Sequence, residues 1–237
     1  MQHTTSMLDT MSTMTNNNTT LNSSQHTMDN QPFTMNLEQH HYQQQQQQQQ
    51  QTGAVQQYHP LKYGWVFWFM HRSRGEKITD YEAAMKRIAS FKTVEEFWAV
   101  YSRLSRPSEL PNISDYSLFK DGVRPVWEDN VNINGGKWIV RIKKGLASRY
   151  WESLVLAIIG DQFDVEDEIC GLVLSIRGSE DIISVWNKTS SNGKINLKIR
   201  DTIKKYLNLP PDTTMEYKTH NDALRDNSSF RNTDVFR

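Results

Sequence analysis

Apolar positions along this chain recur with two periods. From Lys137 to Lys143 the stretch KWIVRIK alternates: Trp138, Val140 and Ile142 share one side, while Lys137, Ile139, Arg141 and Lys143 take the other, as in a strand with one buried face. Trp65 to His71, WVFWFMH, is aromatic and β-prone, and ICGLVLSIR (169–177) and DIISVWNK (181–188) form a strand pair joined by Gly178, Ser179 and Glu180 as a short turn. Three stretches follow the helical period instead. TVEEFWAVYSRL opens with Thr93 and carries Glu96 three residues on, a capping box, followed by a stripe of Val94, Phe97, Trp98, Tyr101 and Leu104. Residues 148–159 carry Trp151, Leu154, Val155, Ile158 and Ile159 and end at Gly160, and residues 195–207 are stopped by Pro210 and Pro211. Strands interrupted by three amphipathic helices predict an α+β fold, a largely antiparallel sheet with helices on one face. The other face is then free for a ligand.

Composition divides the chain. Residues 1–57 are Thr, Asn, Ser, His and Gln, with an unbroken glutamine tract from Gln43 to Gln51. All 27 Lys and Arg and all seven Trp lie after Gln57, whereas only three of the 27 acids precede it. An arm with so little apolar surface does not offset its ordering entropy, so residues 1–57 are expected to be disordered. Residues 58–220 are expected to form one domain, and 221–237 a flexible polar tail. The lone cysteine, Cys170, excludes an intrachain disulfide and reads as a core thiol in an alternating strand. With no apolar run of membrane-spanning length and no signal-peptide order, the expectation is a soluble cytoplasmic protein, away from any membrane.

The chain carries no zinc spacing, Walker-type loop or GxSxG, and its histidines are scattered, so nothing recommends an enzyme or a bound cofactor or metal. Binding chemistry is richer. In LFKDGVRPVWEDN, Trp127 offers a π face and adjacent Glu128 two acceptor oxygens, after the punctuation of Gly122 and Pro125. The Watson–Crick edge of guanine presents N1–H and N2–H, parallel donors that one carboxylate accepts together. Lys137, Arg141 and Arg177 on neighbouring strands are candidates to gather phosphates. On the residues alone, guanine-nucleotide binding stands beside an ordinary packed indole next to a surface carboxylate. A nucleotide hydrolase using Glu128 as base and a general single-strand RNA binder are further readings.

HPLKYGWVFWF, TVEEFWAVY, YSLFKDGVRPVWEDN, GGKW and EICGLVLSIR, in that order and within about residues 59–220, resemble the mRNA cap-binding translation initiation factor 4E family. The wording around residues 130–152, then EDIISVWNKT and LNLPPDTTMEYKTH, resembles its 4E-homologous protein (type 2) branch. The resemblance implies a curved antiparallel sheet backed by three helices on the convex face, with a cap slot on the concave face. A 7-methylguanine ring would lie between Tyr81 and Trp127, with Glu128 on its edge and Lys137, Arg141 and Arg177 on the phosphate side. Arg225, in a C-terminal loop that closes over the cap in relatives, is a further cap candidate, and Trp186 lies either near the pocket or in sheet packing. Two departures imply weaker cap binding than the initiator's: Ile182 stands where the initiator class is basic, and Tyr81 replaces a tryptophan.

Periodicity alone makes Trp98 a core residue. The resemblance instead places it on the outer face, where His59, Pro60, Val94, Trp98, Leu156, Ile159 and Gly160 would receive a Tyr-x-x-x-x-Leu-apolar helix from adaptors such as 4E-binding proteins and GYF-domain scaffolds. After Trp151, where the initiator class has an aliphatic residue and then an acid to grip its scaffold, this chain has Glu152 and Ser153. The expectation is a monomer that binds capped mRNA and represses translation by competition. The alternative is an active initiation factor that recruits the scaffold.

Overall fold

The computed structural model describes residues 58–73, 75–76 and 81–236; the glutamine-rich arm and its expected disorder lie outside the described residues. Eight strands build one curved sheet: β1 (Pro60–His71), β2 (Lys86–Thr93), β3 (Ser114–Lys120), β4 (Gly136–Ile142), β5 (Ile169–Ile176), β6 (Asp181–Asn187), β7 (Met215–Thr219) and β8 (Asp234–Phe236). Their order is β2-β1-β3-β5-β6-β4-β7-β8, with every pairing antiparallel. The β5–β6 hairpin closes through residues 177–180, one residue more than its turn signal predicts. The helices are α1 (Tyr81–Ala84), α2 (Val94–Tyr101), α3 (Ala147–Ile159), α4 (Gly193–Leu207) and α5 (His220–Asp226), with a 3-10 turn at Pro107–Glu109.

Side-chain alternation sorts the sheet into two faces. Trp65, Phe67, Tyr116, Leu118, Trp138, Val140, Leu172, Leu174, Ile183 and Val185 point to one side, where they form a single core with Phe97 of α2, Trp151, Leu154 and Val155 of α3 and Ile199 and Ile203 of α4. The three long helices therefore cover one face, as expected. A buried polar chain fastens α4 to the sheet: the Trp138 indole donates to the Asn196 carbonyl at 2.8 Å, Asn187 donates to the Asn196 side chain, and the Tyr217 hydroxyl donates to Asn187. Opposite parity sends Val66, Met70, Asp115, Phe119, Lys137, Val173, Ser175, Ser184 and Trp186 to the face without long helices.

The Thr93 cap forms, its hydroxyl accepting from the Glu96 N–H at 3.1 Å. The Glu96 carboxylate reaches back one residue further than the capping-box pattern predicts, to the Lys92 N–H at 2.7 Å. Gly135-Gly136 is a close-approach site. A Cβ at Gly136 would stand 2.5 Å from the Tyr217 hydroxyl and 2.8 Å from the Lys218 carbonyl, because β4 is gripped between β6 and β7 there.

The polar segment from Asn221, expected to be a flexible tail, instead carries α5 and β8. Thr219 caps α5 by accepting from the Asp222 N–H, and β8 pairs with β7. The buried Lys218 ammonium holds the connection between them, reaching Asp226 at 2.6 Å and the Arg231 carbonyl. One buried cation satisfied by groups eight and thirteen residues away supplies the order that local composition does not announce.

Candidate functional site

Where the sheet lacks long helices it forms the floor of a cleft of about 750 Å³, within the range of small-ligand sites. Its walls come from three places: α1, the loop between β3 and β4, and the loop after α5.

The β3–β4 loop presents Trp127 and Glu128, and its shape is set by residues on either side of them. Gly122 adopts φ +89°, a conformation that disfavours side chains, where the chain turns away from β3. Asp129, 7% exposed, accepts from the backbone N–H groups of Arg124 and Val131 and from the Arg124 Nε. Asn132, fully buried, donates to the carbonyls of Arg124 and Val126 at 2.9 and 2.8 Å. These two polar anchors, missed by sequence reasoning, make the loop a rigid bracket. Trp127 packs against the satellite cluster of Phe119, Val123, Cys170 and Trp186 and stays half-buried. Glu128 stands exposed on the rim, and its carboxylate makes no hydrogen bond or ion pair with another described residue.

Tyr81, at the start of α1, lines the same cleft. Its side chain is exposed overall, yet desolvation around the phenol, and then the nearby Asp115 carboxylate, push its pKa up. It is therefore a neutral ring at any physiological pH.

The cations divide sharply. Lys137 lies on the floor, 3% exposed, with its Nζ 4.9 Å from the Phe230 ring centre, 5.6 Å from Trp186 and 5.8 Å from Trp127. Burial, reinforced by the positive Lys218, lowers its pKa to about 7, against a smaller raising effect of Asp115. Arg177 also faces the cleft, held by Asp115 at 2.8 Å and by the carbonyls of Ser114 and Ile176. Arg141 does not. It shares the parity of Lys137, but its guanidinium is bound by Glu180 and Glu216, each at 2.7 Å, outside the cleft lining. Arg225 also lies outside that lining, on the exposed side of α5 beside Asp222 at 3.1 Å. From that end of the chain the cleft is walled by Asn227, Ser229 and Phe230 instead.

Trp186 combines both readings left open for it: it is 5% exposed in the sheet and lines the cleft, against Phe119 and His220. His220 is buried, and desolvation followed by the Lys137 charge hold it well below its usual pKa, hence neutral. Arg72 is another cleft residue that sequence reasoning missed. The signal was available, since Arg72 continues the parity of Val66, Trp68 and Met70 past the end of β1.

On the opposite side of the molecule Trp98 is 47% exposed, overturning the periodicity reading of a core residue. Val94 and Leu156 are exposed too, at 37% and 38%, whereas Ile159 is buried at 7%. The Tyr101 hydroxyl donates to Glu152 at 3.2 Å, joining α2 to α3, so that Trp98, three residues before Tyr101, and Leu156, four after Glu152, lie on neighbouring outer surfaces. His59 closes one end, its backbone N–H and ring both bonded to Glu95, with Pro60 beside it and Gly160 exposed at the end of α3.

A flat half-buried indole beside an unpaired carboxylate, in one cleft with a neutral phenol and with the cations Lys137, Arg177 and Arg72, is chemistry that suits a purine nucleotide. The sequence profile described as "Eukaryotic initiation factor 4E" matches residues 60–235. This chain belongs to the eukaryotic initiation factor 4E family. It is 52% identical over 175 residues to the wheat (Triticum aestivum) "Eukaryotic translation initiation factor NCBP", covering 74% of this chain and 75% of that one. Among solved structures, it resembles Ascaris suum eIF4E-3 in complex with an m7G cap (TM-score 0.67, 35% identity, covering 76% of this chain and 98% of that one). It likewise resembles Caenorhabditis elegans eIF4E-3 with the 4E-binding protein Mextli and a cap analog (TM-score 0.67, 35% identity, 71% and 96%). Within the cleft, the β3–β4 bracket and α1 form two of the walls, its two jaws.

Proposed function

We propose that this 4E-family protein binds the 7-methylguanosine cap of mRNA in the cleft and represses translation, occupying the 5′ end without efficiently recruiting the initiation scaffold. The observation that carries cap binding is the pairing of Trp127 with the free carboxylate of Glu128 on one rigid loop, in one cleft with Tyr81. Methylation at N7 makes the purine cationic. Stacking contributes ~1–3 kcal/mol per base, and a desolvated cation over a ring adds ~2 kcal/mol. Glu128 accepts from N1–H and N2–H, while Arg177 and the protonated form of Lys137 face the phosphates. Arg141 is left out of this assignment because two carboxylates already neutralise it.

Repression rests on the outer face. Val94, Trp98 and Leu156 form an exposed apolar surface suited to an adaptor helix of Tyr-x-x-x-x-Leu-apolar pattern. Glu152 stands one turn from Leu156, on the side where an initiator would need an aliphatic contact, and it is engaged by Tyr101. A charge at such a position costs desolvation when a scaffold covers it.

Capture on m7GTP resin from a cell lysate tests both halves. Wild type should be retained with adaptors and without the initiation scaffold, and Trp127→Ala should be lost from the resin. Retention of Trp127→Ala overturns the site. Recovery of scaffold at the level seen with the cell's own initiation factor overturns repression in favour of an initiating role.

A further inference from the structure

The two aromatic walls of the cleft belong to elements that share no core. Trp127 is carried by the β3–β4 bracket, fixed by Asp129 and Asn132. Tyr81 begins α1, a helix of four residues with no buried side chain. No side chain of α1 is buried in the hydrophobic core, so a polar contact between the two walls bears on their spacing.

Among the described residues, the Arg124 side chain bridges them. Arg124, three residues before Trp127, points its Nη1 at both carboxylate oxygens of Glu82, at 2.8 and 2.9 Å, while its Nε meets Asp129 at 3.1 Å. Glu82 is the residue next to Tyr81. Asp129 in turn is two residues beyond Trp127 and is 7% exposed. The guanidinium thus spans from the buried anchor of one jaw to the carboxylate adjoining the aromatic of the other, and a planar, multi-donor group is suited to hold two acceptors at fixed separation.

We infer that the Glu82–Arg124–Asp129 bridge is a latch that sets the distance and angle between Tyr81 and Trp127, making Glu82 and Arg124 positioning residues for recognition of the methylated base. The inference rests on the cap-binding reading of the cleft. Neither residue touches the base; each acts through the ring beside it. Because the Glu82–Arg124 contact lies at the surface, with side chains 54% and 47% exposed, its effect is modest and sensitive to salt. Its effect is also selective. A stacking plane that wanders weakens the charge–ring attraction available only to the N7-methylated purine. The acceptors of Glu128, which serve both bases, stay in place.

A double-mutant cycle on the full chain tests the latch. Glu82→Gln, Arg124→Gln and the double variant are titrated with m7GTP and with GTP by fluorescence quenching, alongside thermal melts. Each single variant should lower m7GTP affinity about threefold and GTP affinity by less, so that the methyl preference narrows. The double variant should be no weaker than the weaker single variant, because both break one bridge, and Arg124→Lys, which keeps the charge, should recover part of the loss. Glu82→Gln should melt with the wild type, since no side chain of α1 is buried, whereas Arg124→Gln also takes a partner from the buried Asp129 and should melt lower. Unchanged m7GTP affinity in both single variants, or losses that multiply in the double variant, overturns the latch. A wild type that binds neither nucleotide overturns the cap-binding reading beneath it, an outcome distinct from failure of the latch.

Discussion

Lys137 makes the cleft sensitive to pH in a way that can be calculated. Lys137 is 3% exposed, its ammonium lies near the rings of Phe230, Trp186 and Trp127, and it has no carboxylate in ion-pair distance among the described residues. The neighbouring Lys218 is itself committed to Asp226. Lowering the pKa from 10.5 to about 7 means that the folded protein disfavours the charged form by about 5 kcal/mol, at about 1.4 kcal/mol per tenfold change. Between pH 7 and 10.5 the unfolded chain holds a proton that the folded chain lacks. The contribution of Lys137 to stability is therefore greatest above pH 10.5 and is lost as pH falls towards 7, by up to about 1.4 kcal/mol per pH unit.

An anionic ligand reverses the preference, because its phosphates supply the missing counter-charge and recruit the protonated form. If only protonated Lys137 holds the phosphate, the competent fraction falls from about one-half at pH 7 to about one-tenth at pH 8, and m7GDP affinity falls about fivefold. Isothermal titration calorimetry at the two pH values, each in two buffers of different ionisation enthalpy, measures both the affinity and the proton taken up. The N1–H acidity of 7-methylguanine also weakens binding at higher pH, but equally in a Lys137→Met variant, so the difference between the two proteins isolates the lysine. Identical pH dependence and equal proton uptake in wild type and Lys137→Met refute the reasoning.

Two further substitutions separate site from scaffold. Arg141→Gln removes a guanidinium held by Glu180 and Glu216 rather than one facing the cleft, so m7GTP affinity should stay within about twofold while stability drops by on the order of 0.5–1 kcal/mol in a urea titration; a tenfold affinity loss would return Arg141 to the phosphate site. Gly136→Ala places a methyl 2.5 Å from the Tyr217 hydroxyl and should destabilise the protein by ~1–3 kcal/mol, read from the same titration, and an unchanged midpoint would show that β4 is not gripped as described.

Strands with clean alternation were legible in the sequence, and so were the three long helices. Lys137 to Lys143 shows why: Trp138, Val140 and Ile142 enter the core while Lys137 and Arg141 take the opposite face. β3 was not legible, because SDYSLFK is buried on both sides and its polar residues, Asp115 among them, serve the cleft rather than solvent. β2 escaped for the opposite reason, as an edge strand with only Phe91 buried. In the site, Trp127 and Glu128 declared themselves by type and adjacency. Tyr81 came only through family resemblance, since nothing in TDYEAAMK distinguishes a ligand wall from a surface turn. Arg141 misled because parity places a side chain on a face but says nothing about which carboxylates, here from β7 and the β5–β6 turn, wait for it there. Phe230 and the order of the last residues depend on the buried Lys218, a long-range contact with no local signature.

The central claim is that a cationic, N7-methylated purine is held between Tyr81 and Trp127 while Glu128 reads its edge. Its most direct test is the ratio of dissociation constants for GTP and m7GTP, measured by fluorescence quenching under one set of conditions. Wild type should prefer m7GTP by at least about tenfold, equivalent to roughly 1.4 kcal/mol. Equal affinity for the two nucleotides would contradict the account.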